Sequence, residues 1–248
     1  MNYRNIKKII RTTLSEYNNT YNTNLKVDDV KYIDPDDHND AYVSEKEVYY
    51  NHKNILYVKE SLFDKDEYTL KAILFHEFTH IEDIELFINY PEIQFAELMK
   101  IYSEVHASEN EMDLILTFQS KPYDLEKDIM FIGQIPLHKL LEFSLNNVKA
   151  MFTLPDEKLT EKNAPFDYCE LYYYIGKIRS INKNGLSYPV NYQEEFELAN
   201  KPFPDLLIEI INYCVNFDMT DYDKLIQLQE KLTDTIIEFG KEHNAKYQ

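Results

Sequence analysis

Two histidines four residues apart, with a glutamate beside the first, are the residues of this chain whose spacing has the clearest chemical meaning. They are His76, Glu77 and His80, in the segment HEFTH. Residues four apart lie on the same face of an α-helix, so both imidazoles can bind one zinc ion. Glu77 would lie beside that ion, where its carboxylate can take a proton from water and return it to a leaving amine. The pattern indicates a zinc site with Glu77 as general base.

A long buried helix is predicted to carry this segment. Neither glycine nor proline occurs between Asp64 and Pro91, and Asp64 followed by Glu67 resembles a capping box. Apolar residues recur at helical spacing on more than one face, and a helix that is apolar most of the way round is normally buried. Buried histidines need polar partners, which a shared metal ion supplies. The alternative is a pair of hydrogen-bonded core histidines.

The third ligand is expected on the next predicted helix, from about residue 93 to residue 118. A catalytic zinc ion usually takes three protein ligands and leaves a fourth position open. Four residues of this helix could reach the ion: Glu104, His106, Glu109 and Glu111. Glu104 is favoured because Ala107 and Ser108 share its face and permit close approach of another helix. His106 lies about 200° round the helix from Glu104, so the two cannot both bind from one face.

HEFTH and the segment Glu104-Val-His-Ala-Ser108 together resemble the gluzincin branch of HExxH zinc metallopeptidases. The second segment resembles the E-x-x-A-[NS] pattern of the ImmA/IrrE type, the small cytoplasmic metallopeptidases of phages, mobile elements and their bacterial hosts. The resemblance covers about residues 45–118. It implies a zincin-like core, Zn²⁺ held by His76, His80 and Glu104, and Glu77 as the base. The Leu/Met-Pro segment of repressor-cleaving members and a helix-turn-helix module are not evident, so the resemblance does not extend to a repressor as substrate.

Two β-prone runs precede the predicted zinc helix. They are residues 48–50 and residues 55–58, and the segment between them, 51–54, is typical of a turn. The sequence therefore predicts a β-hairpin. In the enzymes that the chain resembles, an edge strand above the site binds extended peptide through backbone hydrogen bonds. The second run supplies candidate substrate contacts, namely Ile55, Leu56, Tyr57 and Val58, and the alternative is an ordinary sheet strand.

Two polar residues are candidates for supporting the ligands from behind. Asp83 follows His80 by about one helical turn and could accept the outward N–H of a ligand imidazole. It could equally be a solvated residue of the acidic run at 82–85. Ser108, in the third-ligand segment, is the other candidate. The residue that stabilises the oxyanion is not indicated, because the chain has 21 tyrosines and their spacing singles out none.

Composition favours a folded, helical protein that avoids anionic partners. The 248 residues are 44% hydrophobic and include only 4 glycines, which disfavours disorder and turn-rich β architecture. A net charge of −18 disfavours binding to nucleic acid or anionic membrane. The N-terminus is typical of an amphipathic helix rather than a signal peptide, and no stretch has the ~20 apolar residues of a membrane span. Cys169 and Cys214 do not indicate a disulfide framework. We therefore expect a cytoplasmic protein.

The chain is predicted to be α+β and mostly helical, in two parts. Residues 1–120 form the zincin-like core, and residues 121–248 form a helical subdomain in which strands largely vanish. Helices are expected over about 135–152, 166–181, 203–217 and 222–239, and this part could form a second wall of the cleft. The favoured function is an intracellular zinc metallopeptidase acting on a protein. The alternatives are a catalytically silent zincin-fold protein that binds a regulator or host protein, and zinc-dependent hydrolysis of another substrate.

Overall fold

A computed structural model describes residues 3–246 except 38, 120, 132, 154–168, 200–202 and 217. Helices predominate in the described part: α1 (Tyr3–Tyr21), α2 (Glu45–Asn51), α3 (Glu67–Phe87), α4 (Glu92–Leu98), α5 (Glu104–Thr117), α6 (Leu137–Phe152), α7 (Cys169–Lys183), α8 (Tyr192–Glu195), α9 (Phe203–Asn216) and α10 (Tyr222–Lys246). The strands are β1 (Asp29–Tyr32), β2 (Ala41–Val43), β3 (Ile55–Val58), β4 (Asp128–Met130) and β5 (Gln134–Pro136). The predicted class, α+β and mostly helical, is confirmed.

The three-stranded sheet has the order β1-β3-β2. Strand β1 runs parallel to β3, with Asp29 opposite Ile55, and β2 runs antiparallel to it, with Val43 opposite Leu56. Strand β3 is therefore central, and β2 lies at an edge of the sheet. Strand β2 also packs against α3, the helix that carries the histidines.

The predicted hairpin of residues 48–50 and 55–58 is wrong, because residues 48–50 belong to α2. Ser44 begins this helix by accepting a hydrogen bond from the backbone N–H of Glu47. Glu45 and Glu47 lie in the first turn, where a carboxylate interacts favourably with the helix dipole. His52 then ends the helix in a left-handed conformation, with φ of 52°. Capping outweighed the β-propensity of Val48 and its two tyrosine neighbours.

Helix α3 begins at Glu67, capped by Asp66 rather than by the predicted Asp64. The Asp66 carboxylate accepts hydrogen bonds from the backbone N–H of Thr69 at 2.9 Å and from its hydroxyl at 2.7 Å. Asp64 instead ends a 3-10 turn, Glu60–Asp64. The helix is buried on most sides, as its sequence predicts, and His76, Glu77 and Asp83 are among the buried residues.

The predicted continuous helix from residue 93 to residue 118 has a π-helical turn within it. Helix α4 leads into this turn, Met99–Ser103, and α5 follows at once with Glu104. π-Helical turns are rare and frequently occur at functional sites, because the extra residue rotates the following side chains relative to the preceding helix. Local sequence does not reveal this turn, although it immediately precedes the candidate third ligand.

The two predicted parts of the chain share one hydrophobic core. A single cluster of buried residues extends from Ile6 of α1 to Phe239 of α10. Helices α5 and α7 make the closest junction: a β-carbon at Gly176 of α7 would lie 2.4 Å from the carbonyl oxygen of Val105. Only glycine permits this approach of the two backbones. Residues 1–120 and 121–248 are therefore joined through packed helices.

The C-terminal part is helical with one small exception. Strands β4 and β5 form an antiparallel pair, in which Asp128 lies opposite Pro136, so the expected loss of strands after residue 120 is not complete. The observed helices lie close to those predicted, although residues 154–168, with the predicted start at residue 166, lie outside the described part. Both cysteines are free thiols. Within the described residues, none of the helices has both the length and the apolar character that a membrane span requires.

Candidate metal centre and cleft

The two histidines of α3 and the first residue of α5 meet in one buried cluster. Glu104 Oε2 lies 3.6 Å from His76 Nε2 and 3.7 Å from His80 Nε2. The three ligand atoms all lie within 4.8 Å of one another. A tetrahedral zinc ion with bonds of about 2.0–2.2 Å holds its ligand atoms about 3.4 Å apart. The spacing is thus close to that of a zinc site.

The donor set fits such an ion because one of its atoms has no other partner. Glu104 Oε2 is buried and receives no hydrogen bond in the part of the chain that the structure describes. A buried carboxylate oxygen without a donor is costly, and a cation shared with two imidazoles would satisfy it. The histidine–histidine–carboxylate set is also one that catalytic zinc ions use.

The other three candidates for third ligand contact different groups. Glu109 forms an ion pair with Arg179 of α7, at 2.7 Å. The Nδ1 atom of His106 lies 2.9 Å from Asp83 Oδ1. Glu111 lies on the far side of His76, with Oε2 3.5 Å from Nδ1 of that ring. Glu104 is therefore the acidic residue placed between the two Nε2 atoms.

Each candidate ligand ring has a different partner on its outer nitrogen. With Nε2 free to bind an ion, the Nδ1–H of His80 donates to Ser103 Oγ at 2.8 Å, and that of His76 faces Glu111. Such contacts fix the tautomer and orientation of a ligand imidazole. Sequence reasoning missed Ser103 in this role. It considered Glu111 only as a ligand, although its position seven residues after Glu104, on the same face, was available as a signal.

Asp83 does not make the predicted hydrogen bond to a ligand imidazole. Its Oδ1 accepts from His106, whose Nε2 lies 3.2 Å from the amide nitrogen of Asn110. Burial raises the pKa of Asp83, and His106 and Ser103 oppose that rise. Asp83 is therefore paired with His106 of α5 and not with a candidate ligand ring. Asp83 lies near the histidines on α3, as its spacing of one helical turn predicts, but its carboxylate is hydrogen-bonded to His106 instead.

Ser108 and the strand at residues 55–58 also have roles different from those predicted. The hydroxyl of Ser108 donates to the backbone carbonyl of Tyr173 at 2.9 Å, so it joins α5 to α7 rather than contacting a ligand. Ile55, Leu56, Tyr57 and Val58 form β3, which is paired with β1 on one side and with β2 on the other. A strand paired on both sides offers no backbone groups to a peptide, so the edge suited to substrate is that of β2.

Glu77 lies buried beside His76, with one carboxylate oxygen unpaired. Within the described part, Oε2 has no hydrogen-bond partner, and the backbone of Val43 in β2 provides a hydrogen bond that favours the ionised form. Burial is the largest influence and raises the pKa of Glu77 to about 7. A carboxylate of that pKa can both take and return a proton near neutral pH.

The two imidazoles differ in their affinity for protons in the metal-free protein. Burial lowers the pKa of both, but for His76 the carboxylates of Glu104 and Glu111 outweigh burial and raise it to about 10. For His80 burial prevails, and the pKa falls to about 4. A metal ion must therefore displace a proton from His76 but finds His80 already neutral.

A cleft of about 430 Å³ opens onto His76 and Glu77. One side is formed by residues 39–41 at the start of β2, and the other by α6 and α7, as the predicted second wall would be. The α6 and α7 lining comprises Leu140, Phe143, Ser144, Asn147, Glu170, Tyr173 and Lys177. The Tyr173 ring meets the His76 ring edge-on, with centroids 5.5 Å apart. None of these wall residues was identified from sequence.

In comparisons with known proteins, no family model, curated protein or solved structure matches the chain.

Proposed function

We propose that this chain is a zinc-dependent peptidase of the HExxH type, acting on an extended segment of a protein. The observation that carries the proposal is the position of Glu104 Oε2, which is buried, receives no hydrogen bond from the described residues, and lies 3.6 Å and 3.7 Å from Nε2 of His76 and His80. The resemblance to ImmA/IrrE-type metallopeptidases, a cytoplasmic setting and an origin in a phage or mobile element belong to the same proposal. Nucleic acid and membrane are not among the proposed partners.

The residues around the cleft suit hydrolysis of a peptide bond. A bound zinc ion would polarise the scissile carbonyl and lower the pKa of water. Glu77 would accept the proton of the attacking water and return it to the leaving amine. Its position at the cleft and the lack of a hydrogen bond to Oε2 within the described residues support this role, because that oxygen is available to accept a proton.

Strand β2 is suited to hold the substrate in an extended conformation. It lies at the edge of the sheet and packs on α3, and its first residue, Ala41, lines the cleft with His76. An extended peptide can add to such an edge through backbone hydrogen bonds, which require little side-chain specificity. Helices α6 and α7 would then face the peptide from the other side.

The test combines metal analysis with peptide hydrolysis. We expect about one zinc per chain and cleavage of a degenerate peptide pool that stops with a zinc chelator and resumes when zinc is restored. Glu77→Gln should retain zinc and lose about 10²–10⁴-fold in rate, whereas Glu85→Gln, at an exposed position of the same helix, should change neither the zinc content nor the rate. Cleavage by the Glu77→Gln variant at the normal rate would remove Glu77 as base. Bound zinc without cleavage of any peptide would favour the interaction protein instead.

A further inference from the structure

The cleft wall contains a buried lysine that the proposed hydrolysis does not use. Lys177 of α7 lines the cleft together with His76, Glu77 and Glu111, and only 8% of its surface is exposed. Its ammonium lies 5.6 Å from the centroid of the Tyr173 ring, four residues earlier on the same face of α7. Lys177 is thus held at the wall of the cleft, near the carboxylate that faces His76.

The ammonium of Lys177 has no hydrogen bond or ion pair within the described part of the chain. The ammonium lies over the face of Tyr173, a weak interaction compared with a carboxylate. The nearby carboxylates have other partners: Glu111 faces His76, and Glu170 accepts from the amide of Asn147 at 3.2 Å. Charged groups of mostly buried side chains are normally paired, and within the described residues the three N–H groups of Lys177 have no protein acceptor.

The surroundings of Lys177 act on the pKa of its ammonium in two opposite directions. Burial lowers the pKa of the ammonium, while the charges of Glu111 and Glu170 oppose that fall. An oxygen acceptor entering the cleft would restore the hydrogen bonds that burial removed. A carboxylate is the acceptor that gains most, because it combines charge with hydrogen bonding.

We propose that Lys177 recognises a carboxylate of the substrate, either an Asp or Glu side chain near the scissile bond or the C-terminus of the peptide. This specificity rests on the proposed function, because it assigns the group that binds beside the hydrolytic residues. Glu111 and Glu170 would repel a free anion, so the carboxylate must arrive on a peptide already held along β2. The selectivity is therefore expected to be moderate, about tenfold, as for one charge-assisted hydrogen bond.

Two degenerate decapeptide pools test this inference, one with free and one with amidated C-termini. Cleavage of the pools is measured with the zinc-loaded wild-type protein, and binding of peptides is measured with the zinc-loaded Glu77→Gln variant. Mass spectrometry identifies the cleaved and the bound peptides. We expect peptides bearing a carboxylate at one position to be favoured about tenfold over their amide counterparts. Enrichment of Asp or Glu in the amidated pool identifies a side chain, and enrichment confined to the free pool identifies the C-terminus.

Substitutions of Lys177 test whether this residue causes the preference for peptides that bear a carboxylate. In the Glu77→Gln background, Lys177→Met should remove the preference and Lys177→Arg should keep it, with zinc content and melting temperature checked for each variant. Lys139→Met, at an exposed lysine of α6, is the matched control and should change nothing. The inference is overturned if neither pool shows a carboxylate preference, or if Lys177→Met keeps it. Failure of the wild-type protein to cleave either pool would instead overturn the proposed function. The peptides retained by the Glu77→Gln variants would still show whether Lys177 binds a carboxylate.

Discussion

The floor and the wall of the cleft differ in how their functional side chains are held by neighbouring residues. The floor consists of α3 and α5, where the candidate ligands are supported from behind by Ser103 and Glu111. The wall consists of α6 and α7, where Phe143 is exposed and the Lys177 ammonium is unpaired within the described residues. A floor whose imidazoles are held from behind, with Glu77 Oε2 and Glu104 Oε2 left without a hydrogen bond in the described residues, is suited to hold an ion in fixed geometry. A wall with an exposed aromatic ring and a lysine that has no protein acceptor in the described residues is suited to a ligand that comes and goes.

The two regions meet at a tight junction between α5 and α7. Ser108 donates to the backbone of Tyr173, and Gly176 allows Val105 to approach. On the same pair of helices, Glu109 is paired with Arg179. The wall is thus positioned by the back of the helix whose first residue is the candidate ligand Glu104. The distinction between floor and wall predicts which substitutions change metal binding, stability or substrate binding.

Removal of the candidate third ligand should have the largest effect on the floor. Glu104→Gln is expected to weaken zinc binding more than about 100-fold, beyond the range of residues that only touch a ligand. Glu109→Gln is the control on the same helix, and its zinc affinity should be unchanged because that carboxylate pairs with Arg179. Competition with a chromogenic chelator measures both. Equal affinities for the two variants would contradict the assignment of Glu104.

Loss of either partner behind the imidazoles should have the next largest effect. Ser103→Ala and Glu111→Gln are each expected to weaken zinc binding about 10–100-fold, because the ligand rings lose their orientation. Thr117→Ala is a suitable control, since that exposed hydroxyl donates only to a backbone carbonyl within α5. The same chelator competition applies. Unchanged zinc affinity in both variants would show that the rings are held by packing alone.

Substitution at the junction should reduce stability. Gly176→Ala places a methyl group 2.4 Å from a backbone oxygen and should cost roughly 1–3 kcal/mol, lowering the melting temperature by several degrees. Gly240→Ala is the matched control, because no atom lies within 4 Å of the added carbon. Since Gly240 lies inside α10, alanine there should stabilise by about 0.5–1 kcal/mol. Calorimetry on the metal-free protein measures the melting temperatures of both variants. An equal change in melting temperature would contradict the close approach of α5 and α7.

The smallest effect on folding is expected for an exposed residue of the wall. Phe143 is 63% exposed at the cleft, so Phe143→Ser should change stability by no more than about 0.5 kcal/mol and leave zinc binding intact. If substrate packs there, KM should rise about fivefold, the equivalent of about 1 kcal/mol of apolar contact. Leu140→Ala, at a buried position of α6, should instead cost about 2–5 kcal/mol. An unchanged KM would remove Phe143 from the substrate surface.

Local patterns predicted those parts of the fold that depend on helical periodicity. The buried helix around His76 and His80 and the helices of the C-terminal half lie close to the positions predicted from apolar spacing. The prediction failed where short-range signals competed. Residues 48–50 have high β-propensity, yet capping by Ser44 made them helical, and Asp66 competed with Asp64 for the start of α3.

The sequence alone determined which residues of the floor could bind a metal ion, because the period of α3 places His76, Glu77 and His80 close together and Glu104 begins α5. It could not determine what lies behind or opposite them. Ser103 contacts His80 from the last position of a π-helical turn that has no local signature, and Asp83 is hydrogen-bonded to His106 of another helix. The wall residue Lys177 is a hundred residues from the zinc motif and reaches the cleft only because Gly176 lets α7 pack tightly on α5. Periodicity assigns a residue to a face, whereas packing between distant helices decides what that face meets.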